Sequence, residues 1–132
     1  MFSSETMAVI AVGMVLGFAI PIAAIVIYKR RFREAWLPSA FIGTGAVIVF
    51  ALIELLLYVP LLPIIMRIPS ASVIISAVMA GVVEETARLA AYKTLMKNHR
   101  STKNAVLMGL GFGGLETIVA LGLTFLLYLI MA

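Results

Sequence analysis

The feature that most constrains this chain is its division into long apolar runs. Four runs reach the length of about 20 residues that a helix needs to cross a hydrocarbon core roughly 30 Å thick, and they lie at about 7–28, 39–58, 72–95 and 104–130. Of the 132 residues, 64% are hydrophobic and 12% are charged, whereas about a quarter of a soluble chain is charged. The pattern predicts an all-α fold, a polytopic transmembrane helical bundle that forms a single membrane domain over 1–132.

Prolines and polar residues separate the predicted spans. Ser39 is a suitable N-cap for the second span. The following segment VPLLPIIMRIP (59–69) is apolar, yet its three prolines favour an interfacial or re-entrant stretch over a helix of its own. The chain ends inside the apolar run LLYLIMA. We therefore expect part of a longer bundle with further C-terminal spans, or one part of an oligomer or mixed assembly.

The basic residues predict how the bundle lies in the membrane. The formal net charge is +4, and most of the basic residues lie in two loops, at 29–33 and 97–103, whereas the loop between them holds only Arg67. Basic loops face the cytoplasm, so the pattern predicts a multi-pass protein of the cytoplasmic membrane with both termini outside. Basic residues at the ends of apolar runs indicate topology and contact with membrane lipid, and they exclude nucleic acid as the expected partner.

Five ionisable residues lie inside the predicted spans. An ionisable group at that depth costs on the order of 2.5–3.5 kcal/mol on insertion scales, so such groups normally face the bundle interior, pair with one another and mark function. The five are Glu54, Glu84, Glu85, Arg88 and Glu116.

Spacing places two of the glutamates at one depth. Glu84 precedes Lys97 by 13 positions, and Glu116 follows Lys103 by 13 positions. At about 1.5 Å per residue, both carboxyl groups lie roughly 20 Å along their helices from the basic loop. The two glutamates are therefore expected to be neighbours.

Small residues share a helix face with each of these glutamates. Because small residues allow membrane helices to approach closely, the two faces are expected to pack against each other. The third span contributes Ala77, Ala80 and Gly81, and the fourth contributes Gly109, Gly113 and Ala120.

The side chains of this cluster can perform acid and base chemistry. Arg88 lies four residues after Glu84 and three after Glu85, so it can pair with either carboxylate. One arginine cannot balance every acid, so one carboxyl group is expected to keep a proton and one to act as a base or metal ligand. The alternative is a structural clamp between helices. Glu54, one turn from Tyr58, is more typical of a hydrogen-bonded structural acid, and His99 in the basic loop indicates a topological or headgroup role.

The stretch EETARLAAYKTLMKNHRSTKNAVLMGLGFGGLET (84–117) resembles the YhfC-type membrane peptidases and, more distantly, the PrsW and CAAX-protease group of glutamate-dependent intramembrane proteases. In that group two glutamates and a basic residue three positions later lie on one span, which Glu84, Glu85 and Arg88 match. The next span carries a second motif, which Phe112 and Glu116 match in the form FxxxE. The resemblance implies an intramembrane endopeptidase of glutamic or metallo type, with Glu84, Glu85, Arg88 and Glu116 as its catalytic residues.

Two departures from the family pattern concern a metal. Relatives often have histidine at the position of Phe112, and the family completes its site with a later histidine-bearing span that these residues do not include. The cofactor therefore stays open between a divalent metal such as zinc and none. The partner is expected to be a membrane-embedded peptide substrate or a partner helix. Two other functions also stay open: a non-catalytic subunit that holds a client helix, and a proton or cation pathway lined by Glu54, Glu84 and Glu116.

Overall fold

The computed structural model describes residues 3–65, 67 and 69–131, and the regular structure in this part of the chain is entirely helical. The all-α prediction is confirmed for these residues. The helices are α1 (Ser4–Arg31), α2 (Pro38–Ile65), α3 (Pro69–Thr94), α4 (Thr102–Thr117) and α5 (Thr124–Met131), and a π-helical segment, Ile118–Leu123, joins α4 to α5.

Three described helical segments are long and apolar enough to cross a membrane: Ser4–Arg31, Pro38–Pro63 and Thr102–Met131. The last of these comprises α4, the π-helical segment and α5. The three segments account for three of the four predicted spans. The helix α3 has 26 residues and therefore sufficient length, but its C-terminal half contains two glutamates, an arginine and a lysine. The charged cluster thus lies on the helix that departs most from the composition of a membrane span.

The start of α2 differs from the predicted one. The helix begins at Pro38, a position where the missing backbone N–H costs no hydrogen bond. Ser39 is therefore already inside the helix, fully buried, and its hydroxyl has no hydrogen-bond partner among the described residues. The prediction that Ser39 is an N-cap is wrong. Ser101, by contrast, caps α4, because its hydroxyl oxygen accepts a hydrogen bond of 3.2 Å from the Asn104 N–H.

The proline-rich segment also differs from its prediction. The helix α2 continues through Pro60 and Pro63 to Ile65, and α3 begins at Pro69. The prediction that the second span ends near Tyr58 is therefore wrong, because residues 59–65 continue α2 rather than form a separate stretch. Residues 66 and 68 lie outside the described part. A proline removes only one N–H donor and is tolerated in apolar helices where the neighbouring backbone adjusts.

The closest packing in the described bundle joins α2 to α4. A Cβ atom at Gly43 would collide with the backbone of Met108, and one at Gly111 would collide with the backbone of Ala40. Between these glycines the Thr44 hydroxyl lies 3.2 Å from the Gly111 carbonyl oxygen, to which it can donate. The two backbones therefore meet in a way that only residues without a side chain permit.

The other helices flank this pair. The helix α1 packs along α4, the π-helical segment and α5, where a Cβ atom at Gly17 would collide with the backbone of Gly122. On the opposite side α3 packs against α2. The lateral order of the helices is thus α1, α4, α2, α3.

This order contradicts the predicted packing of the third and fourth spans through small residues. A Cβ atom at Gly81, Gly109 or Gly113 would meet no atom within 4 Å, and Ala77 is exposed. The small-residue faces therefore do not pack together. The physical reason is that α2 makes the close backbone contact with α4, whereas α3 reaches α4 through longer side chains such as Arg88.

The two basic loops lie together at one end of the bundle, joined by the buried residue Asn104. Its side-chain oxygen accepts a 2.7 Å hydrogen bond from the Trp36 N–H, and its amide nitrogen donates to the His99 carbonyl oxygen at 2.6 Å. The Trp36 and His99 rings stack with their centroids 4.0 Å apart, and Lys103 pairs with Glu34. The basic residues of both loops therefore lie at the same end of the bundle.

The glycine contacts yield a mutational prediction. Gly43→Ala and Gly111→Ala should each lower the free energy of unfolding by about 1–3 kcal/mol, because an added methyl group overlaps backbone atoms and must separate α2 from α4. Gly81→Ala and Gly109→Ala are the matched controls. They should be neutral or slightly stabilising, because alanine favours helix over glycine. Unfolding by SDS titration in detergent micelles measures all four, and equal losses would contradict the assigned packing.

Candidate active site

Arg88 brings the two adjacent glutamates of α3 into one ion-paired group. One terminal nitrogen, Nη2, bonds the Glu84 carboxylate, and the other, Nη1, donates to Glu85 Oε1 at 3.0 Å. These bonds follow from helix geometry, since residues three and four apart lie on one side of a helix. The Glu84 side chain is 25% exposed and the Glu85 side chain 72% exposed. One carboxylate is thus held inside the bundle, while the other is accessible from outside.

The guanidinium group of Arg88 lies over the aromatic ring of Phe112. The guanidinium carbon of Arg88 lies 4.1 Å from the centre of this ring, which is itself fully buried. A cation over an aromatic face is stabilised by about 2 kcal/mol where water is excluded. The Phe50 ring of α2 lies against Phe112 with the centroids 6.1 Å apart. Side chains of α2, α3 and α4 therefore meet in one layer.

A layer of carboxyl groups lies one helical turn beyond the aromatic layer. On α2 and α4 the glutamates follow Phe50 and Phe112 by four residues, whereas on the antiparallel α3 Glu84 precedes Arg88 by four. On each of the three helices the glutamate is therefore one turn farther from the basic loops than the aromatic or arginine side chain. The charges of Glu84, Arg88 and Glu54 all act on the Glu116 carboxyl group. The three helices thus contribute the three glutamates Glu54, Glu84 and Glu116 to one polar layer.

For Glu54 the sequence favours a hydrogen-bonded structural acid, with a place in a proton or cation pathway as the alternative. No hydrogen bond joins it to Tyr58 among the described residues, so the structure provides no support for a hydrogen-bonded structural acid. A signal was present in the sequence: Phe50 and Glu54 form FxxxE, the same spacing as Phe112 and Glu116. The repeated motif puts an aromatic ring and a carboxyl group one turn apart on both helices that face Arg88.

The acids of this region outnumber its cations. The described residues of this region hold four acids, Glu54, Glu84, Glu85 and Glu116, and one arginine, Arg88, which pairs with Glu84 and Glu85. Neither Glu54 nor Glu116 has a hydrogen bond or an ion pair within the described residues. An uncompensated carboxylate in an apolar bundle is costly. The layer is therefore suited to holding protons, water or a polar part of a ligand.

Comparison with known proteins identifies the class and then the family. The fold and cluster define a helical membrane protein with a partly buried ionisable site. The model of the family described as YhfC intramembrane metalloprotease matches residues 16–132. The chain is 33% identical over 131 residues to the uncharacterized membrane protein YhfC of Bacillus subtilis (strain 168). No solved structure matches. This chain belongs to the YhfC family, which confirms the resemblance seen in its motifs.

The alignment covers 94% of this chain and 50% of the Bacillus protein, so the chain spans about half the length of that curated relative. The family description implies a metal, and the donor set of the described residues does not fit one. No three histidine, cysteine, aspartate or glutamate side chains converge there as metal ligands would, although a catalytic zinc ion takes three protein ligands. Arg88 occupies the carboxylates of Glu84 and Glu85, and His99 stacks on Trp36 in the loops.

The stability of Arg88 variants tests the ion pair between Arg88 and Glu84. Arg88→Ala should lower the free energy of unfolding by on the order of 2 kcal/mol, because it leaves Glu84 without its cation in a partly buried place. Adding Glu84→Gln to Arg88→Ala should restore part of the loss, since the unpaired charge is then gone. Arg67→Ala, at an exposed loop position, is the control. Additive losses in the double mutant would contradict the coupling when unfolding is followed in detergent micelles.

Proposed function

We propose that the cluster on α2, α3 and α4 is the active centre of an intramembrane peptidase. The observations that support it are the ion pairs of Arg88 with Glu84 and Glu85 on α3 and the contact of Arg88 with the Phe112 ring of α4. Glu54 and Glu116 follow the rings of Phe50 and Phe112 by one helical turn on α2 and α4. Membership of a family described as intramembrane metalloproteases supports the same class of reaction. Residues at such positions in membrane proteins normally serve function.

In this proposal Glu85 is the general base. Its carboxylate is the more accessible of the two that Arg88 pairs, so a water molecule and a peptide can reach it from the membrane. Glu85 takes a proton from water while the water oxygen attacks the peptide carbonyl carbon. The proton then passes to the peptide nitrogen as the carbon–nitrogen bond breaks. The products are a carboxylic acid and an amine, and the glutamate returns to its starting state.

The neighbouring residues have supporting roles. Arg88, held over Phe112, can donate to the oxyanion that forms at the attacked carbonyl, the point at which charge stabilisation contributes most. Glu84 holds Arg88 in place, and Glu116 with Glu54 completes the polar cluster beside this pair.

The substrate is a membrane-embedded peptide. Glu85 lies on a helix side that is open rather than enclosed by α2 or α4, so an unfolded stretch of a membrane segment can approach it laterally. A subunit that only holds a client helix, and a proton or cation pathway, would use the same acids. Neither of these requires that a peptide bond be cut.

We further propose that α3 is a fourth membrane span. The protein then lies in the cytoplasmic membrane, with its basic loops on the cytoplasmic side. The two basic loops share one end of the bundle, and Lys and Arg favour the cytoplasmic side. With 26 residues, α3 is about 39 Å long, enough to cross the hydrocarbon core. Glu84, Glu85 and Arg88 form one ion-paired group, and Arg88 lies over the Phe112 ring, which lowers the cost of placing these charges in the membrane.

Cleavage is the test of the peptidase. Glu85→Gln should reduce cleavage of a fluorogenic membrane peptide in liposomes by at least about 100-fold, because glutamine keeps the size of glutamate but cannot accept the proton. Glu116→Gln should reduce it by a similar factor, because it removes the carboxyl group that completes the polar cluster. Glu5→Gln, at an exposed position in the first turn of α1, should leave cleavage unchanged. Retained cleavage by the Glu85→Gln/Glu116→Gln variant would end the catalytic assignment. Peptide crosslinking without cleavage would favour the client-holding subunit.

Labelling from outside the cell tests the topology. The chain contains no cysteine, so each single cysteine provides an unambiguous label. An impermeant maleimide should label Ser3→Cys and Arg67→Cys in intact cells, whereas Asn98→Cys should need permeabilised cells. Labelling of positions 67 and 98 from the same side would show that α3 does not cross the membrane.

A further inference from the structure

The buried residues of α2, α3 and α4 lie in the half of the bundle that adjoins the basic loops. On α2 they end at Phe50, and none of the described side chains at 51–63 is buried. Among the described side chains of α3 only Ala91 is buried, and on α4 the buried residues end at Gly114, before Glu116. Close packing between these helices therefore stops at the level of the ion-paired group.

One face of α2 changes from apolar to polar where the buried residues end. Val47 and Phe50 lie on this face and are buried. Glu54 and Tyr58 follow on the same face, one and two turns after Phe50, and both are half-buried. The three leucines between them, at 55–57, are exposed. The two polar side chains therefore turn toward the other helices, while the leucines face lipid.

The helices α3 and α4 also carry polar side chains in this half of the bundle. Ser76 precedes Glu84 by eight residues, a spacing that keeps both near one face of α3, and both are half-buried. Val78, on another face, is exposed. On α4, Glu116 is half-buried as well. Polar groups of three helices thus continue from the ion-paired group toward the end of the bundle opposite the basic loops.

Water is the molecule that suits these side chains. Within the described residues neither the Glu54 carboxyl group nor the Tyr58 hydroxyl has a hydrogen-bond partner. Polar and ionisable groups inside a membrane protein face a partner or a water-filled space, because acyl chains offer no hydrogen bonds. Hydrolysis consumes one water molecule for each peptide bond, and this water comes from an aqueous surface. On the side of the basic loops the packed rings of Phe50 and Phe112 stand in the way.

We propose that water reaches the glutamate cluster from the end opposite the basic loops, through a polar passage between α2, α3 and α4 that includes Glu54, Tyr58 and Ser76. The rings of Phe50 and Phe112 close this passage toward the basic loops. With the basic loops on the cytoplasmic side, the passage opens outside the cell. The use of this water in hydrolysis rests on the proposed function, whereas the accessibility of the passage does not.

Reaction of single cysteines with a positively charged, membrane-impermeant methanethiosulfonate tests the passage, because the reacting thiolate forms in water and not in lipid. In liposomes with reagent on both sides, Glu54→Cys and Tyr58→Cys should react at least about 10-fold faster than Leu56→Cys, the lipid-facing control. Val47→Cys, on the same face but within the packed half, should react as slowly as Leu56→Cys.

Folding of every variant is judged by circular dichroism. Ser76→Cys, compared with Val78→Cys, repeats the measurement on α3 and keeps the test valid if Glu54→Cys or Tyr58→Cys does not fold. Passage positions that react no faster than their lipid-facing controls would show that lipid or another helix covers these side chains, and would overturn the proposal.

The side of entry is tested by adding the reagent to one side of the membrane at a time. Arg67→Cys marks the end opposite the basic loops, and Asn98→Cys marks the basic end. Glu54→Cys and Tyr58→Cys should react from the side that labels Arg67→Cys, whichever side of the cell that is. Faster reaction from the side that labels Asn98→Cys would overturn the proposal.

Blocking the passage connects it to hydrolysis. Modified Tyr58→Cys should cleave a membrane peptide at least about 10-fold more slowly than unmodified Tyr58→Cys, because the attached group obstructs the supply of a reactant. Modified and unmodified Leu56→Cys should cleave at equal rates. Full cleavage by completely modified Tyr58→Cys would overturn the passage as the water route. Absence of cleavage by the unmodified protein would instead overturn the proposed peptidase, while the labelling rates still decide whether the passage exists.

Discussion

Backbone contact between α2 and α4 is the constraint on which the other positions depend. Gly43 and Gly111 remove the side chains that would keep the two helices apart, and the Thr44 hydroxyl reaches across to the opposing backbone. In a lipid environment helices gain little from apolar burial, so such close van der Waals contact and interhelical hydrogen bonding determine which helices associate. This contact places Phe112 of α4 beside Phe50 of α2. The aromatic surface that receives Arg88 is therefore a result of the glycine contact.

The position of α3 follows from its charges as much as from its apolar side. Ala91 and Met96 pack into the same core as Met108 and Phe112, while Arg88 lies on the Phe112 ring. A helix with this many ionisable groups is stable among apolar neighbours only when those groups find partners. Arg88 satisfies this condition twice, by pairing with the adjacent glutamates and by stacking on an aromatic ring. The charged side of α3 consequently faces α4 without close backbone contact.

Much of this arrangement could be predicted from the sequence, and the failures have a common physical cause. The helices, the basic loops and the i,i+4 pair of Glu84 and Arg88 depend on local periodicity, which the sequence contains directly. The small-residue faces of α3 and α4 were also identified by periodicity, but periodicity indicates which residues share a face and not which helix covers it. The glycines that mediate contact, Gly43 and Gly111, lie on α2 and on a different face of α4. Only three-dimensional packing distinguishes a glycine at a contact from a glycine facing open space.

The same limit explains Glu54. Considered within its own helix, Glu54 has Tyr58 as its natural partner, whereas in the bundle it belongs to the carboxyl layer completed by Glu84 and Glu116. The repeated FxxxE spacing on α2 and α4 becomes meaningful only when the two helices run in the same direction side by side, because the aromatic and carboxyl layers are then in register. The antiparallel α3 contributes Arg88 to the aromatic layer and Glu84 to the carboxyl layer. One cation is thereby positioned among four acids, and this imbalance within an apolar bundle is the property that a polar, water-dependent reaction requires.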